Sequence, residues 1–157
     1  MHKLVWKKRR SGKEKNMFCL TAEDSFDAAH FLSGYEGKCS NLHGHRWRVL
    51  VELQGEQLEE QGQQRGMLVD FSCLKEQVKQ LTAPFDHSFI YEEGSLKQTT
   101  ISTLQEEDFL LNAVPFRPTA ENFSKYFFDE MKKKGFAVSK VTVYETPNNC
   151  ASYKENA

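Results

Sequence analysis

The chain has 157 residues, 39% of them hydrophobic and 12% aromatic, with a formal charge of −1. That is the length of one domain with material for a packed core, which excludes a disordered chain. No apolar run reaches membrane-spanning length, and the start is basic instead of apolar, so neither a membrane partner nor a secretory signal is expected. The cytoplasm is the expected compartment, and the widely spaced Cys19, Cys39, Cys73 and Cys150 are expected there as free thiols.

Residues 1–16 form a basic arm: seven Lys or Arg against one Glu give +6 and leave −7 for the remainder. A basic arm can contact nucleic acid. The acidic body opposes broad polyanion binding, so a flexible terminal arm without a nucleic-acid partner is expected. One domain then fills residues 17–157. Residues 17–31 alternate as a strand, with Phe18, Leu20, Ala22, Phe26, Ala28 and His30 in one set and Asp24-Ser25 interrupting as a bulge. The turn-rich Ser33-Gly34-Tyr35-Glu36-Gly37 delivers Cys39. From His45 onward, Trp47, Val49, Val51 and Leu53 share a second strand face, and polar residues 54–65 form a loop.

Asp70 is placed to cap a helix with Phe71, Leu74, Val78 and Leu81 at helical spacing, ended by Pro84. Residues 92–116 read as a polar lid or surface insertion with a short helix over 102–111. Thr119 caps a second helix, with Phe123, Tyr126, Phe127 and Met131 as its buried stripe and Gly135 as its stop. Val141, Val143 and Glu145 alternate in a third strand, and Pro147-Asn148-Asn149 turns into a fourth over 150–153. The order β-β-α-α-β-β implies an α+β fold, a four-stranded antiparallel sheet with two helices on one face.

The chemistry concentrates in Cys39-Ser40-Asn41-Leu42-His43-Gly44-His45. In a strand, His43 and His45 project to one side, and Gly44 frees space where the backbone lies close to whatever they hold. If the two strands pair antiparallel, His30 joins them, and three imidazoles make a zinc site with one open position. Cys39 is then either a fourth ligand of a closed structural cage or a free thiol beside the metal. Asp86-His87, just past the first helix, is either a proton-shuttling pair or a helix-end hydrogen bond.

Six motifs now stand in register: Phe-Asp-Ala-Ala-His (26–30), Cys-Ser-Asn-Leu-His-Gly-His (39–45), Val-Asp-Phe (69–71), Asp-His (86–87), Pro-Thr-Ala-Glu-Asn (118–122) and Tyr-Glu-Thr (144–146). Over residues 17–154 the chain resembles the 6-pyruvoyltetrahydropterin synthase superfamily. The three-residue gap between Cys39 and His43 is similar to that of the 6-carboxy-5,6,7,8-tetrahydropterin synthases of queuosine biosynthesis; the pyruvoyl-forming enzymes typically place five residues there. The resemblance implies the tunnelling fold, in which subunit sheets join into a barrel, as a homohexamer of two stacked trimers with active sites between subunits. It implies a lyase that converts 7,8-dihydroneopterin triphosphate to 6-carboxytetrahydropterin, releasing acetaldehyde and triphosphate.

By position, the resemblance puts zinc on His30, His43 and His45, where it would bind the substrate's side-chain oxygens. Cys39 becomes the catalytic thiolate, Asp86 and His87 its partner pair, and Glu145 the pterin anchor, with Glu121 and Thr119 near the pterin pocket. Thr119 and Glu121 equally suit a helix cap and its first turn. The chain departs from the pattern at Tyr91, where Asn is usual, and in the length of residues 92–116; Leu111-Asn112 is a candidate for the displaced Leu-Asn. Lys38, Arg46, Arg48 and Arg117 are candidates by charge for the triphosphate. Rival readings are a 6-pyruvoyltetrahydropterin synthase and a non-catalytic zinc module closed by Cys39.

Overall fold

The computed structural model describes residues 16–155. All but the last residue of the basic arm lie outside that range, so the expectation for the arm does too. Two thirteen-residue strands, β1 (Phe18–His30) and β2 (His43–Gly55), form the spine. They pair antiparallel without interruption from Phe18 opposite Gly55 to His30 opposite His43. The even positions of β1 therefore share a face with the odd positions of β2, placing Ala22 by Val51, Phe26 by Trp47 and Ala28 by His45.

The expected bulge at Asp24-Ser25 does not occur, because the register runs straight through it. Asp24 keeps its inward place by accepting a 2.6 Å hydrogen bond from the Thr82 hydroxyl. The register shifts lie instead between Glu52 and Leu53, where β2 meets β5 (Val138–Thr146), and between Tyr144 and Thr146, where β5 meets the last strand. The close approach at Gly44 is to the neighbouring strand: an added Cβ would stand 3.4 Å from the Ala28 carbonyl.

The four-stranded, wholly antiparallel sheet is corrected to six strands in mixed orientation. Besides β6 (Asn149–Tyr153), two short strands extend it, β3 (Ser88–Glu92) and β4 (Leu111–Val114), in the order β4-β3-β1-β2-β5-β6. β3 runs parallel to β1, and β4 runs parallel to β3. Parallel neighbours need a crossover. The helix α1 (Phe71–Thr82) leads back to β3, and α2 (Gln98–Glu106) leads from β3 to β4. The "irregular" residues 92–116 thus hold a helix, beginning four residues earlier than expected, and an edge strand. No α2 residue is buried, which is why its sequence lacked an apolar stripe.

The core lies between the sheet and two of the helices, α1 and α3 (Ala120–Lys133). Asp70 caps α1, its carboxylate accepting from the Ser72 and Cys73 amides at 2.6 and 3.4 Å, and Gly135 ends α3 at φ 88°. Phe26, Trp47, Phe85, Phe123 and Phe127 form one aromatic cluster with centroids 5.2–6.3 Å apart. Burying each such side chain stabilises the fold by about 1.5–3 kcal/mol. Tyr126 is only half-buried, and Phe71, counted in the α1 stripe from spacing, is 52% exposed.

Candidate metal centre

The aromatic floor of the core carries the histidines at one end. His30 ends β1 and His43 begins β2, and their pairing, with His45 two residues on, gathers three imidazoles. Ring centroids lie 4.5 Å (His30–His43), 5.1 Å (His30–His45) and 4.9 Å (His43–His45) apart. One nitrogen from each lies within 4.8 Å of the others, so the group could hold a metal ion. Trp47 supports it from beneath, edge-on to His30 at 4.9 Å and to His45 at 5.7 Å.

Backbone carbonyls set the tautomers. A carbonyl only accepts, so His30 Nδ1 must donate to Pro118 O at 2.8 Å and His43 Nδ1 to Asn41 O at 2.7 Å. The Nε2 atoms are left with lone pairs, and His30 Nε2 is buried without a hydrogen-bond partner. A buried orphan acceptor is costly, and a cation is a partner that would satisfy it. Burial, the largest cause, pulls the His30 pKa down to about 4, against the Pro118 bond and with help from His43 and His45. Burial also lowers that of His45, against the pull of Glu145. Both imidazoles are therefore neutral at pH 7, the form that binds metals. The donor set fits a zinc ion.

Cys39 does not belong to this ligand group. It sits half-buried in a 3-10 turn, Lys38–Ser40, and its carbonyl accepts from the Leu32 amide at 2.8 Å, which ties the turn to the end of β1. Glu145, expected as the pterin anchor, reaches the histidines themselves. Its Oε1 lies 3.4 Å from His30 Nε2 and 3.8 Å from His45 Nε2. With Gly44, His45, Tyr144 and Thr146 it lines a cavity of about 680 Å³ beside the triad.

Asp86 and His87 form a pair of their own. Asp86 Oδ1 accepts from the Asp27 amide at 2.9 Å, His87 donates its amide to Asp27 O at 2.7 Å, and His87 Nδ1 is 2.9 Å from Asp86 Oδ2. Both backbone groups of Asp27 thus grip the pair, holding His87 at φ 54°. The Asp27 amide and then His87 keep the Asp86 carboxyl below its usual range. The contacts with Asp27 are those of its backbone, in the plane of the sheet at the edge of β1 beside β3, and His87 lines one hollow with Asp27, Gly44 and His45. Among the described residues no hydrogen bond or ion pair links Asp86 or His87 to His30, His43, His45 or Cys39.

Thr119 is the N-cap of α3, its hydroxyl accepting from the Asn122 amide at 3.3 Å, and Glu121 is exposed in the first turn. Neither makes a hydrogen bond or ion pair with the triad among the described residues. What touches the site from this segment is Pro118, a residue that side-chain chemistry could not flag because its carbonyl does the work. Arg46 pairs with Asp27 at 3.1 Å and Arg48 with Glu23 at 3.0 Å, while Arg117 donates to Ser33 O and covers Tyr35. Asn112 of the Leu-Asn pair donates to Pro84 O at 2.7 Å, bracing the turn before Asp86.

The fold and the site define an α+β protein with a three-histidine centre at one end of a mixed sheet. Residues 19–156 match the family model described as 6-pyruvoyl tetrahydropterin synthase, and the chain belongs to that family. A 6-carboxy-5,6,7,8-tetrahydropterin synthase of Haemophilus influenzae is 39% identical over 142 residues, 88% of this chain and 100% of the relative. One of Rickettsia bellii is 31% identical over 141 residues, 84% of this chain and 96% of the relative. The solved 6-pyruvoyl tetrahydropterin synthase of Caenorhabditis elegans superposes with a TM-score of 0.64 at 26% identity, covering 90% of this chain and 97% of that one.

Proposed function

We propose that the protein is a zinc-dependent 6-carboxytetrahydropterin synthase, a lyase converting 7,8-dihydroneopterin triphosphate to 6-carboxy-5,6,7,8-tetrahydropterin with release of acetaldehyde and triphosphate, in queuosine biosynthesis. The observation that carries the chemistry is a three-imidazole cluster whose nitrogens could hold a metal ion, with Cys39 outside that group. The relatives of Haemophilus influenzae and Rickettsia bellii, both named as this synthase, carry the choice of reaction.

His30, His43 and His45 are the zinc ligands. Bound there, zinc supplies Lewis-acid polarisation of the substrate's side-chain oxygens. Cys39, as thiolate, removes a proton from the substrate side-chain carbon. His87, oriented by Asp86, carries protons to and from that step. Glu145 anchors the pterin by accepting two hydrogen bonds from its 2-amino and ring N–H edge; its place in the cavity beside His45 supports this. Glu121 and Thr119 flank the pterin pocket from the first turn of α3. Among the described residues of one chain no hydrogen bond or ion pair joins Asp86 or His87 to the triad; a homohexamer of two stacked trimers, its sheets joined in a tunnelling-fold barrel and its sites completed between subunits, is the assembly we assign. No helix among the described residues is long and apolar enough to cross a membrane. The four free cysteines fit the cytoplasm, the compartment we assign.

The deciding experiment supplies the zinc-loaded protein with 7,8-dihydroneopterin triphosphate and resolves products by mass spectrometry. Formation of 6-carboxytetrahydropterin with acetaldehyde is expected. Release of 6-pyruvoyltetrahydropterin in its place would assign the chain to the other branch of its family, and absence of both would overturn the enzymatic reading.

A further inference from the structure

Near its end β5 carries a carboxylate aimed at the triad. Between β5 and β6 the register passes from Tyr144 opposite Cys150 to Thr146 opposite Asn149, which leaves Glu145 as the extra residue of a bulge. A bulge re-aims the side chain it carries. Glu145 Oε1 stands 3.4 Å from His30 Nε2, and His30 is wholly buried. His30 Nδ1 donates to the Pro118 carbonyl, so the neutral ring presents only a lone pair at Nε2, which has no hydrogen-bond partner among the described residues. A carboxylate oxygen also only accepts. Two electron-rich atoms thus face each other beside a buried ring, where like charges repel more strongly than in water. A cation shared by both converts that repulsion into two bonds.

Spacing supports the same pairing. Ligands about 2.0–2.1 Å from a tetrahedral zinc stand roughly 3.4 Å apart, and Oε1 is 3.4 Å from His30 Nε2 and 3.8 Å from His45 Nε2. Building on the zinc reading of the triad, we propose that in the substrate-free protein Glu145 is the fourth ligand of the ion held by His30, His43 and His45, and that it leaves the ion when it turns to a pterin. The carboxylate is outside the group whose ligand atoms all lie within 4.8 Å of one another, so it is the least tightly gathered of the four donors and the one free to leave. Its side chain is 29% exposed and lines the cavity beside His45, where a pterin has room to approach. Gripping the pterin edge takes both carboxylate oxygens. Pterin capture therefore opens the metal position that the substrate's side-chain oxygens then use.

The test loads the full chain with zinc, or with cobalt(II) as a visible-light reporter, and keeps it free of substrate. In the zinc-loaded crystal a Glu145 oxygen should lie about 2.0–2.2 Å from the ion. Glu145→Gln, an uncharged and poorer ligand of the same size, should weaken zinc binding in chelator competition by about tenfold or more and change the cobalt absorption. Addition of 6-methyl-7,8-dihydropterin, which has no side-chain oxygen to offer the ion, should move the wild-type spectrum toward that of Glu145→Gln. A water or the Cys39 sulfur in the fourth place, with Glu145 detached, would overturn the proposal, as would equal affinity and equal spectra in the two proteins. None of these readouts uses catalysis, so they can fail while 6-carboxytetrahydropterin still forms, and the synthase assay can fail while they succeed. A wild-type chain that takes up no zinc would overturn this proposal and the metal centre together.

Discussion

At the residue scale, function depends on which side chains hold metal and which stay free. Cys39 lies outside the ligand group, so Cys39→Ala should retain zinc, measured by elemental analysis, while turnover falls by about 10²–10⁴-fold as a general base is lost. Loss of metal and fold together would instead mark a structural thiolate. His30 offers a pH test on metal-stripped protein. Its folded pKa, about 4, lies below the unfolded value of 6.5. Between those values the unfolded chain binds the extra proton. Stability is therefore full above pH 6.5 and falls as pH drops toward 4, by at most about 1.4 kcal/mol per pH unit. Urea denaturation of wild type and His30→Gln across that range isolates the effect, and equal slopes for the two would refute it. His43 and His45 were legible from spacing, since i and i+2 in a strand fix a shared face, and His30 joined them through the expected antiparallel pairing of the two strands. Pro118 was not legible, because a backbone carbonyl carries no side-chain signature. The direct approach of Glu145 to His30 was hidden too, since it depends on how β5 lies against β2.

At the element scale, the sequence disclosed what periodicity can disclose. β1, β2, β5 and α3 each bury one face, so alternation or helical spacing marked them, and Asp70 and Thr119 marked helix starts through local cap chemistry. β3 and β4 are five and four residues long, too short for a pattern, and parallel pairing through α2 leaves no local mark. The misplaced bulge teaches the same point. Asp24 looked like a break in an apolar set because its partner, Thr82, lies 58 residues away. That bond ties α1 to β1, and Thr82 is 1% exposed. Thr82→Val keeps the shape and removes the donor, leaving the inward carboxylate without this partner. Chemical denaturation should show a loss of about 1–3 kcal/mol, whereas Thr82→Ser should recover most of it. A neutral Val variant would mean that water serves Asp24 equally well.

At the scale of the whole molecule, one chain holds all the proposed groups but joins Asp86 and His87 to the triad by no hydrogen bond or ion pair among the described residues. The triad lies on the helix-covered face of the sheet, while the backbone of Asp27, at the edge of β1, holds Asp86 and His87. His87 is 81% exposed and held at positive φ by two backbone contacts of that residue, the posture of a group built to project outward. A closed assembly lets one chain's projection complete its neighbour's centre, and rotational symmetry repeats the junction at every interface. Mixing inactive variants tests this directly. Cys39→Ala and His87→Ala should each abolish most turnover alone. Unfolded together, mixed equally and refolded with zinc, they should regain activity, because some sites then receive Cys39 from one chain and His87 from the other. Random pairing makes about a quarter of such shared sites intact. If both groups acted within one chain, no mixture could hold an intact site, and the co-refolded sample would stay as inactive as its components.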